Sequence, residues 1–316
     1  MRQNVRMQQP PRAIAESTVA FRDVLSDDGT LLRAWTNDPD GIIDGPTVLL
    51  CNGLATSAWS WPALLHSDCG VRVVSWNHRG TSGSDRPSDP NRVGVQYFVE
   101  DALSVMDAFG LIKPVVMGWS IGVDTMFELA ALHPERVAGL FAVAGVPGDP
   151  FSTTLGPLHL PRPVARLIAQ NGSRALRAGG RLLTPLASRL AIGPRMIELL
   201  GHTGLIFKVQ DPELAAVAFR EFLANPVEWY FHIALRSSEH HRVSLRRIRV
   251  PAMFVAGRWD MIAGSRHMAS AAARVPQGTF VQINGSHFLQ MEQPEVVHRL
   301  LKDFLTQVEQ QERSRR

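Results

Sequence analysis

The stretch Pro114–Asp124, PVVMGWSIGVD, constrains this chain more than any other. Val115, Val116 and Met117 make a short apolar run, Gly118-Trp119-Ser120-Ile121-Gly122 follows, and Met126, Leu129 and Leu132 continue at helical spacing. The order is strand, tight turn, helix. A serine at such a corner holds strained backbone, and glycines two positions to either side let strand and helix approach without side-chain clash. A G-x-S-x-G corner of this kind, a nucleophile elbow, exposes the Ser120 hydroxyl at the top of a sheet. The helix beginning near Ile121 adds free N–H groups and a positive dipole end. A bare G-x-S-x-G also arises by chance as an ordinary turn. Its setting between strand and helix is what supports the functional reading.

The rest of the chain supplies a sheet for that corner. Thr18–Leu25 and Leu31–Thr36 flank the turn Asp27-Asp28-Gly29, which predicts an opening hairpin. Thr47–Cys51 and Val71–Trp76 are short apolar strands of the kind found in parallel sheets, and Phe98, Ala102, Val105 and Phe109 share one face of a helix over about Tyr97–Phe109. Val137–Ala144, Val250–Ala256 and Thr279–Ile283 read as further strands, and Pro294 opens a closing amphipathic helix. Strand and helix alternate, which predicts a doubly wound, mostly parallel sheet. Between Pro147 and Leu245 the strands stop, and segments around Val164–Ala169, Met196–Leu200, Leu214–Leu223 and Val227–Leu235 read as helices. The expected organisation is a core of residues 16–147 and 246–309, an all-helical insertion at 148–245, and loose termini at 1–15 and 310–316.

Composition narrows the function. A 316-residue chain that is 45% hydrophobic and 20% charged has the makeup of a globular protein with a substantial core. The net charge of +4 invites a nucleic-acid reading, but the arginines are scattered without interleaved aromatics, which argues against one. Cys51 and Cys69 form neither a disulfide framework nor a metal-ligand pattern. Reduced thiols in a cytoplasmic protein are the simplest account. The N-terminus lacks an apolar signal core, and no apolar run reaches membrane-spanning length.

A serine hydroxyl needs a base, and the base needs a group that orients it. Two later strand ends supply them. Ala252–Ala256 runs into Gly257-Arg258-Trp259-Asp260, and Thr279–Ile283 into Asn284-Gly285-Ser286-His287. Loops at the C-terminal ends of parallel strands share one sheet edge, so Ser120, Asp260 and His287 converge there as nucleophile, acid and base. Asp149 is the competing acid. His267 and His298 read as solvated or structural, and Glu239-His240-His241 is a poor match to metal-ligand spacing. The backbone N–H of Ile121 and that of Leu54, in the loop after Thr47–Cys51, are the expected oxyanion donors. Asn52, Gly53, Trp59 and Trp119 are candidate substrate-binding positions; for Trp59, core packing is an equal reading. Asp124, one turn into the helix, is expected to answer the helix dipole.

These motifs, in this order, resemble the α/β-hydrolase superfamily in its capped esterase and haloperoxidase-like branch. The likeness spans about Phe21–Phe304. It includes Asn77-His78-Arg79-Gly80-Thr81-Ser82-Gly83-Ser84, similar to the family's D-x-R-G-x-G-x-S loop but with Asn77 for aspartate and Ser82 for glycine. Gly257 with Asp260 is similar to its G-x-x-D, and His287 with Glu292 and Pro294 to its H-x-x-x-x-E-x-P. Asn52 replaces the usual oxyanion-loop histidine, and Val123-Asp124 replaces the common Gly-x after the elbow. The resemblance implies an eight-stranded sheet, with the helical insertion acting as a cap between strands 6 and 7. It also implies a serine hydrolase of carboxylic esters that needs no metal or organic cofactor. Cap aromatics Phe207, Phe219, Phe222, Trp229, Tyr230 and Phe231 suit an apolar acyl or aromatic substrate, or pack cap helices together. Perhydrolysis, carbon–carbon bond hydrolysis and acyl transfer run on the same residues, and a non-catalytic binding module is the alternative outside enzymology. Arg162, Arg166, Arg174, Arg177, Arg181, Arg189 and Arg195 suggest, from charge alone, weak association with anionic membrane surfaces.

Overall fold

The computed structural model describes residues 12–148, 151, 161–204, 206–240 and 243–315. A short helix α1 (Arg12–Ala15) precedes the hairpin β1 (Ala20–Leu25) and β2 (Leu31–Thr36), whose turn places Gly29 at φ +79°. Then follow β3 (Thr47–Cys51), β4 (Arg72–Trp76), α2 (Val95–Ala108), β5 (Val115–Trp119), α3 (Gly122–Leu132) and β6 (Gly139–Val143). Four helices come next: α4 (Arg162–Ala187), α5 (Pro194–Leu200), α6 (Pro212–Ala224) and α7 (Val227–Ser238). The chain closes with β7 (Ala252–Gly257), α8 (Ser265–Ala272), β8 (Gly278–Ile283), α9 (Leu289–Glu292) and α10 (Pro294–Arg315).

The strands form one sheet in the order β1-β2-β4-β3-β5-β6-β7-β8, antiparallel at β1/β2 and β2/β4 and parallel elsewhere. Every residue of β5 and β6 is buried, as their unbroken apolar runs require once helices cover both faces. Alternation splits the side chains between two cores. Leu49, Val116, Leu140 and Phe254 join residues of α2, α3 and α8, with Phe127 stacked on Phe254 at 5.5 Å. Leu50, Met117, Phe141 and Val255 join residues of α10 and the 51–72 connection, with Phe141 against Phe304 at 5.8 Å.

The parallel register aligns the carboxyl ends of the strands, with Leu50 beside Met117, Trp119 beside Val143 and Gly257 beside Ile283. That edge carries the site. The helical insertion falls between β6 and β7, where the sequence pattern puts it.

Two expectations need correction. Residues 310–315, expected to be loose, continue α10, because Val297, Leu301, Phe304 and Val308 anchor the helix on the sheet and nothing in the tail breaks it. Residues 12–15, also assigned to a loose end, form α1, with Ala13 and Ile14 packed on the second core. The connection between β3 and β4 is built of three 3-10 turns, Ala58–Ser60, Pro62–Leu64 and Ser67–Cys69.

Candidate active site

β5 runs directly into Ser120, which sits at φ +56°, a left-handed conformation unusual for a residue with a side chain. The surroundings hold it there. The Ser120 N–H donates to the Val143 carbonyl at 3.2 Å, and the Ser120 carbonyl accepts from Val123 at 3.1 Å. Gly122 lies so close to β3 that a Cβ would fall 1.8 Å from the Cys51 carbonyl oxygen, and one at Gly118 would fall 2.7 Å from the Gly122 carbonyl oxygen. The two glycines therefore set the closeness of strand and helix that forces the serine into its corner.

His287 comes from the loop after β8, and its Nε2 stands 3.0 Å from Ser120 Oγ. Its Nδ1 lies 2.9 Å from Asp260 Oδ2, contributed by the loop after β7. Asp260 is 1% exposed, and its second oxygen, Oδ1, accepts the Ile262 and Ala263 N–H groups at 2.7 Å each. Those two bonds fix the carboxylate so that Oδ2 meets the imidazole. An acceptor at Nδ1 puts the ring proton there and leaves Nε2 to accept from the serine hydroxyl. Glu292 organises the histidine loop from behind: it accepts the Ser286 N–H and the Phe207 N–H, both at 2.8 Å, as well as the Ser286 hydroxyl. Trp119 donates its indole N–H to the His287 carbonyl at 3.0 Å.

The loop after β3 lines the same cavity as Ser120 through Gly53 and Leu54. Asn52 Oδ1 accepts from Gly53 N–H at 3.0 Å and from the Trp61 indole at 2.9 Å, and its Nδ2 donates to the Ser57 carbonyl at 3.1 Å. Ala55 takes φ +58°. Among the described residues neither the Leu54 nor the Ile121 N–H donates to another group of the chain. Buried N–H groups are almost always paired, which leaves these two amides available to an acceptor.

A cavity of about 200 Å3 opens over Ser120, lined by Gly53, Leu54, Trp119, Phe219, Phe222, Tyr230, Ile262, His287, Phe288 and Met291 among others. Burial pushes the Tyr230 phenol up to about 12, so it stays protonated. Asn225, at the end of α6, ties this wall to the core: its Oδ1 accepts the Ser82 N–H at 2.9 Å, and its Nδ2 donates to the Ala55 carbonyl at 3.2 Å.

The structure brings together Ser120, Asp260, His287, Gly53, Leu54, Ile121 and Trp119. It separates two candidate substrate-binding residues from the cavity. Asn52 is 1% exposed and satisfied by its own loop, which it shapes from below. Trp59 turns to α6, donating its indole N–H to Glu221 at 2.9 Å with its ring edge against Phe21, so the packing reading holds for it. Of the aromatics in the insertion, Phe219, Phe222 and Tyr230 line the cavity, whereas Trp229 donates to the Arg79 carbonyl at 2.8 Å and Phe231 packs against Tyr230. Phe207 is likewise outside the lining.

Ile262, Phe288 and Met291 escaped sequence reading; each lies within four residues of Asp260 or His287, and that proximity was the available signal. Asp124 is buried and accepts the Gly148 N–H at 2.5 Å, tying α3 to the exit of β6 in addition to its place in the first turn. Asp149 and His241 lie outside the described residues. His240 instead meets Glu128 at 3.1 Å, and among the described residues no group of His, Cys, Asp and Glu is arranged to hold a metal.

Comparison with known proteins agrees with this architecture. The sequence profile of the alpha/beta hydrolase fold matches residues 46–294. Epoxide hydrolase A of Mycobacterium tuberculosis is 28% identical over 298 residues, covering 84% of this chain and 91% of that protein. Among solved structures, a thermophilic esterase from Thermogutta terrifontis superposes with a TM-score of 0.65 at 22% identity, covering 92% of this chain and 99% of that one. The enol-lactonase of Burkholderia xenovorans LB400 gives 0.66 at 18%, covering 90% and 100%. With the profile spanning most of its length and the sheet, elbow and insertion in their family positions, the chain belongs to the α/β hydrolase fold family.

Proposed function

We propose that this hydrolase cleaves carboxylic ester or related acyl bonds through a Ser120–His287–Asp260 triad and an acyl-enzyme intermediate. The observation that carries the reading is the unbroken relay from Ser120 Oγ through His287, 3.0 Å on one side and 2.9 Å on the other, to a carboxylate fixed by two amides.

In the first half-reaction His287 Nε2 takes the Ser120 proton as Oγ bonds to the substrate carbonyl carbon. The oxygen gains negative charge, which the Leu54 and Ile121 N–H groups meet without reorganisation. Asp260 stabilises the imidazolium. His287 then gives its proton to the departing alcohol as the carbon–oxygen bond breaks. In the second half-reaction His287 deprotonates water, hydroxide attacks the acyl carbon, and Ser120 leaves with the proton restored. A small, mostly apolar cavity suits a short acyl or aryl group. No step calls on a metal or an organic cofactor.

The sequence likeness to epoxide hydrolases raises a rival chemistry, and a serine in the nucleophile position argues against it. A serine that opened an epoxide would form an ether, which a second water cannot hydrolyse under these conditions, whereas an aspartate nucleophile forms an ester and turns over. The test sets both substrates side by side. Wild-type protein is expected to hydrolyse p-nitrophenyl acetate and butyrate with a burst of one p-nitrophenol per chain, lost in Ser120→Ala, and to leave styrene oxide intact. Opening of styrene oxide with no ester turnover would overturn the reading.

A further inference from the structure

Helix α4 runs 26 residues, about 39 Å. Its narrow inner face is made of small residues: Ala165, Ser173 and Gly180 are buried, and a Cβ on Gly180 would fall 2.4 Å from the Glu228 nitrogen at the start of α7. The Thr184 hydroxyl accepts the Val227 N–H at 2.9 Å in the same seam. The apolar side chains point the other way. Val164, Leu167, Ile168, Leu182 and Leu186 are 43%, 59%, 51%, 85% and 66% exposed. At 100° per residue they fall on one outward stripe, and Arg174, Arg177 and Arg181, all exposed, line one border of it. From residue 151 to 197 the sequence holds seven arginines and no lysine, aspartate or glutamate.

An exposed leucine stripe on so long a helix needs an occupant. The charge selects which. A second copy docked antiparallel by a two-fold axis would set this arginine border against itself, with no acidic residue in the segment to answer it. A basic border with an outward apolar stripe and low overall hydropathy is instead the makeup of helices that lie in the plane of a membrane interface. No helix among the described residues is long and apolar enough to span a bilayer, so the contact is a surface one. We infer that α4 docks on the surface of an anionic lipid bilayer, apolar stripe in the acyl boundary and arginines among the headgroups.

The consequence reaches the cavity, because α4 is laid on α7, which carries Tyr230. Docking therefore brings the wall of the cavity to the lipid phase, where apolar acyl substrates concentrate. The docking itself rests on α4 alone, not on the proposed triad.

Vesicle co-sedimentation tests it with the full chain, using phosphatidylcholine vesicles doped with about one-third phosphatidylglycerol against pure phosphatidylcholine. The expected result is binding to the anionic vesicles only, reversed by high salt. It should fall on the order of five-fold for each of Arg174→Gln and Arg181→Gln and be lost in Leu182→Glu/Leu186→Glu. That double variant should keep the wild-type melting temperature and p-nitrophenyl butyrate turnover. Ser120→Ala should bind vesicles like wild type, so failure of the acyl chemistry and failure of docking are told apart. Absence of vesicle binding, or binding indifferent to the double variant, overturns the inference. So does a dimer in light scattering that the double variant dissolves, or a lowered melting temperature showing that the chain itself covers the stripe.

Discussion

The centre of the sheet and helix α4 both carry many apolar residues and place them in opposite ways. In β5 and β6 no residue is exposed, and the cores on either side bring helices α2, α3, α8 and α10 onto them. In α4 the small residues face inward and the leucines outward. The first arrangement fixes positions, because a close-packed interior transmits displacement; Ser120, directly after β5, inherits that rigidity. The second fixes little in its own fold and leaves a face for something else. The proposed chemistry thus belongs to the sheet edge, while the insertion supplies walls and surface.

The largest expected effect lies at the sheet edge. Ser120→Ala and His287→Ala are each expected to lower p-nitrophenyl butyrate turnover by about a million-fold, with the double variant little worse, since the residues act as a unit. Asp260→Asn should cost about 10,000-fold through loss of the productive imidazole tautomer, and Asp149→Asn should be mild by comparison. A crippling Asp149→Asn beside a mild Asp260→Asn would move the acid role to Asp149.

The next effect tests whether rigidity of the sheet makes the corner. Gly122→Ala drives a Cβ into the Cys51 carbonyl at 1.8 Å, an overlap neither strand nor helix can relieve by turning a side chain. Denaturant unfolding should report a loss of about 3 kcal/mol, with turnover reduced alongside.

A third prediction concerns pH. His78, two residues past β4, is 3% exposed against the Phe98 ring at 4.5 Å, and burial lowers its pKa from 6.5 to about 4. The folded chain keeps this imidazole neutral, whereas the unfolded chain protonates it below pH 6.5. Stability is therefore complete above that pH and falls as pH drops toward 4, by about 3 kcal/mol from this residue. Urea midpoints at pH 7 and pH 4.5 should converge in His78→Leu relative to wild type.

The smallest effect belongs to the outward face of α4. Leu182→Ala, at a site 85% exposed, should change stability by no more than about 0.5 kcal/mol, in contrast to the core strands, where Leu49→Ala should cost about 3 kcal/mol. Equal losses at the two sites would erase the distinction between the regions.

Local patterns made much of this legible. The elbow, the strand-end aspartate and the histidine each announce themselves within a few residues, and the alternation of strand and helix predicts which sheet edge gathers them. The burial of Asn52 is hidden from sequence because its partners, Trp61 and Ser57, lie along a run of 3-10 turns that periodicity does not reveal. For Trp59 the sequence leaves substrate binding and core packing equal, because alternation does not tell which neighbour claims an indole; Glu221, on a helix 162 residues away, does. The arginines of α4 were visible as charge, but a repeat in sequence does not say which side of a helix meets its neighbour. Only the burial of Ala165, Ser173 and Gly180, with Gly180 set against the start of α7, decides that. Ser82, standing where the family has glycine, adopts φ +45° and so keeps the turn that glycine would make.

The most direct test of the central claim is labelling with a fluorophosphonate probe, read by peptide mass spectrometry, because phosphonylation requires an activated serine and no knowledge of the natural substrate. One probe per chain on Ser120, absent in Ser120→Ala and in His287→Ala, is the result expected of a working relay. Folded wild-type protein that takes up no probe, or takes it up elsewhere, would contradict it.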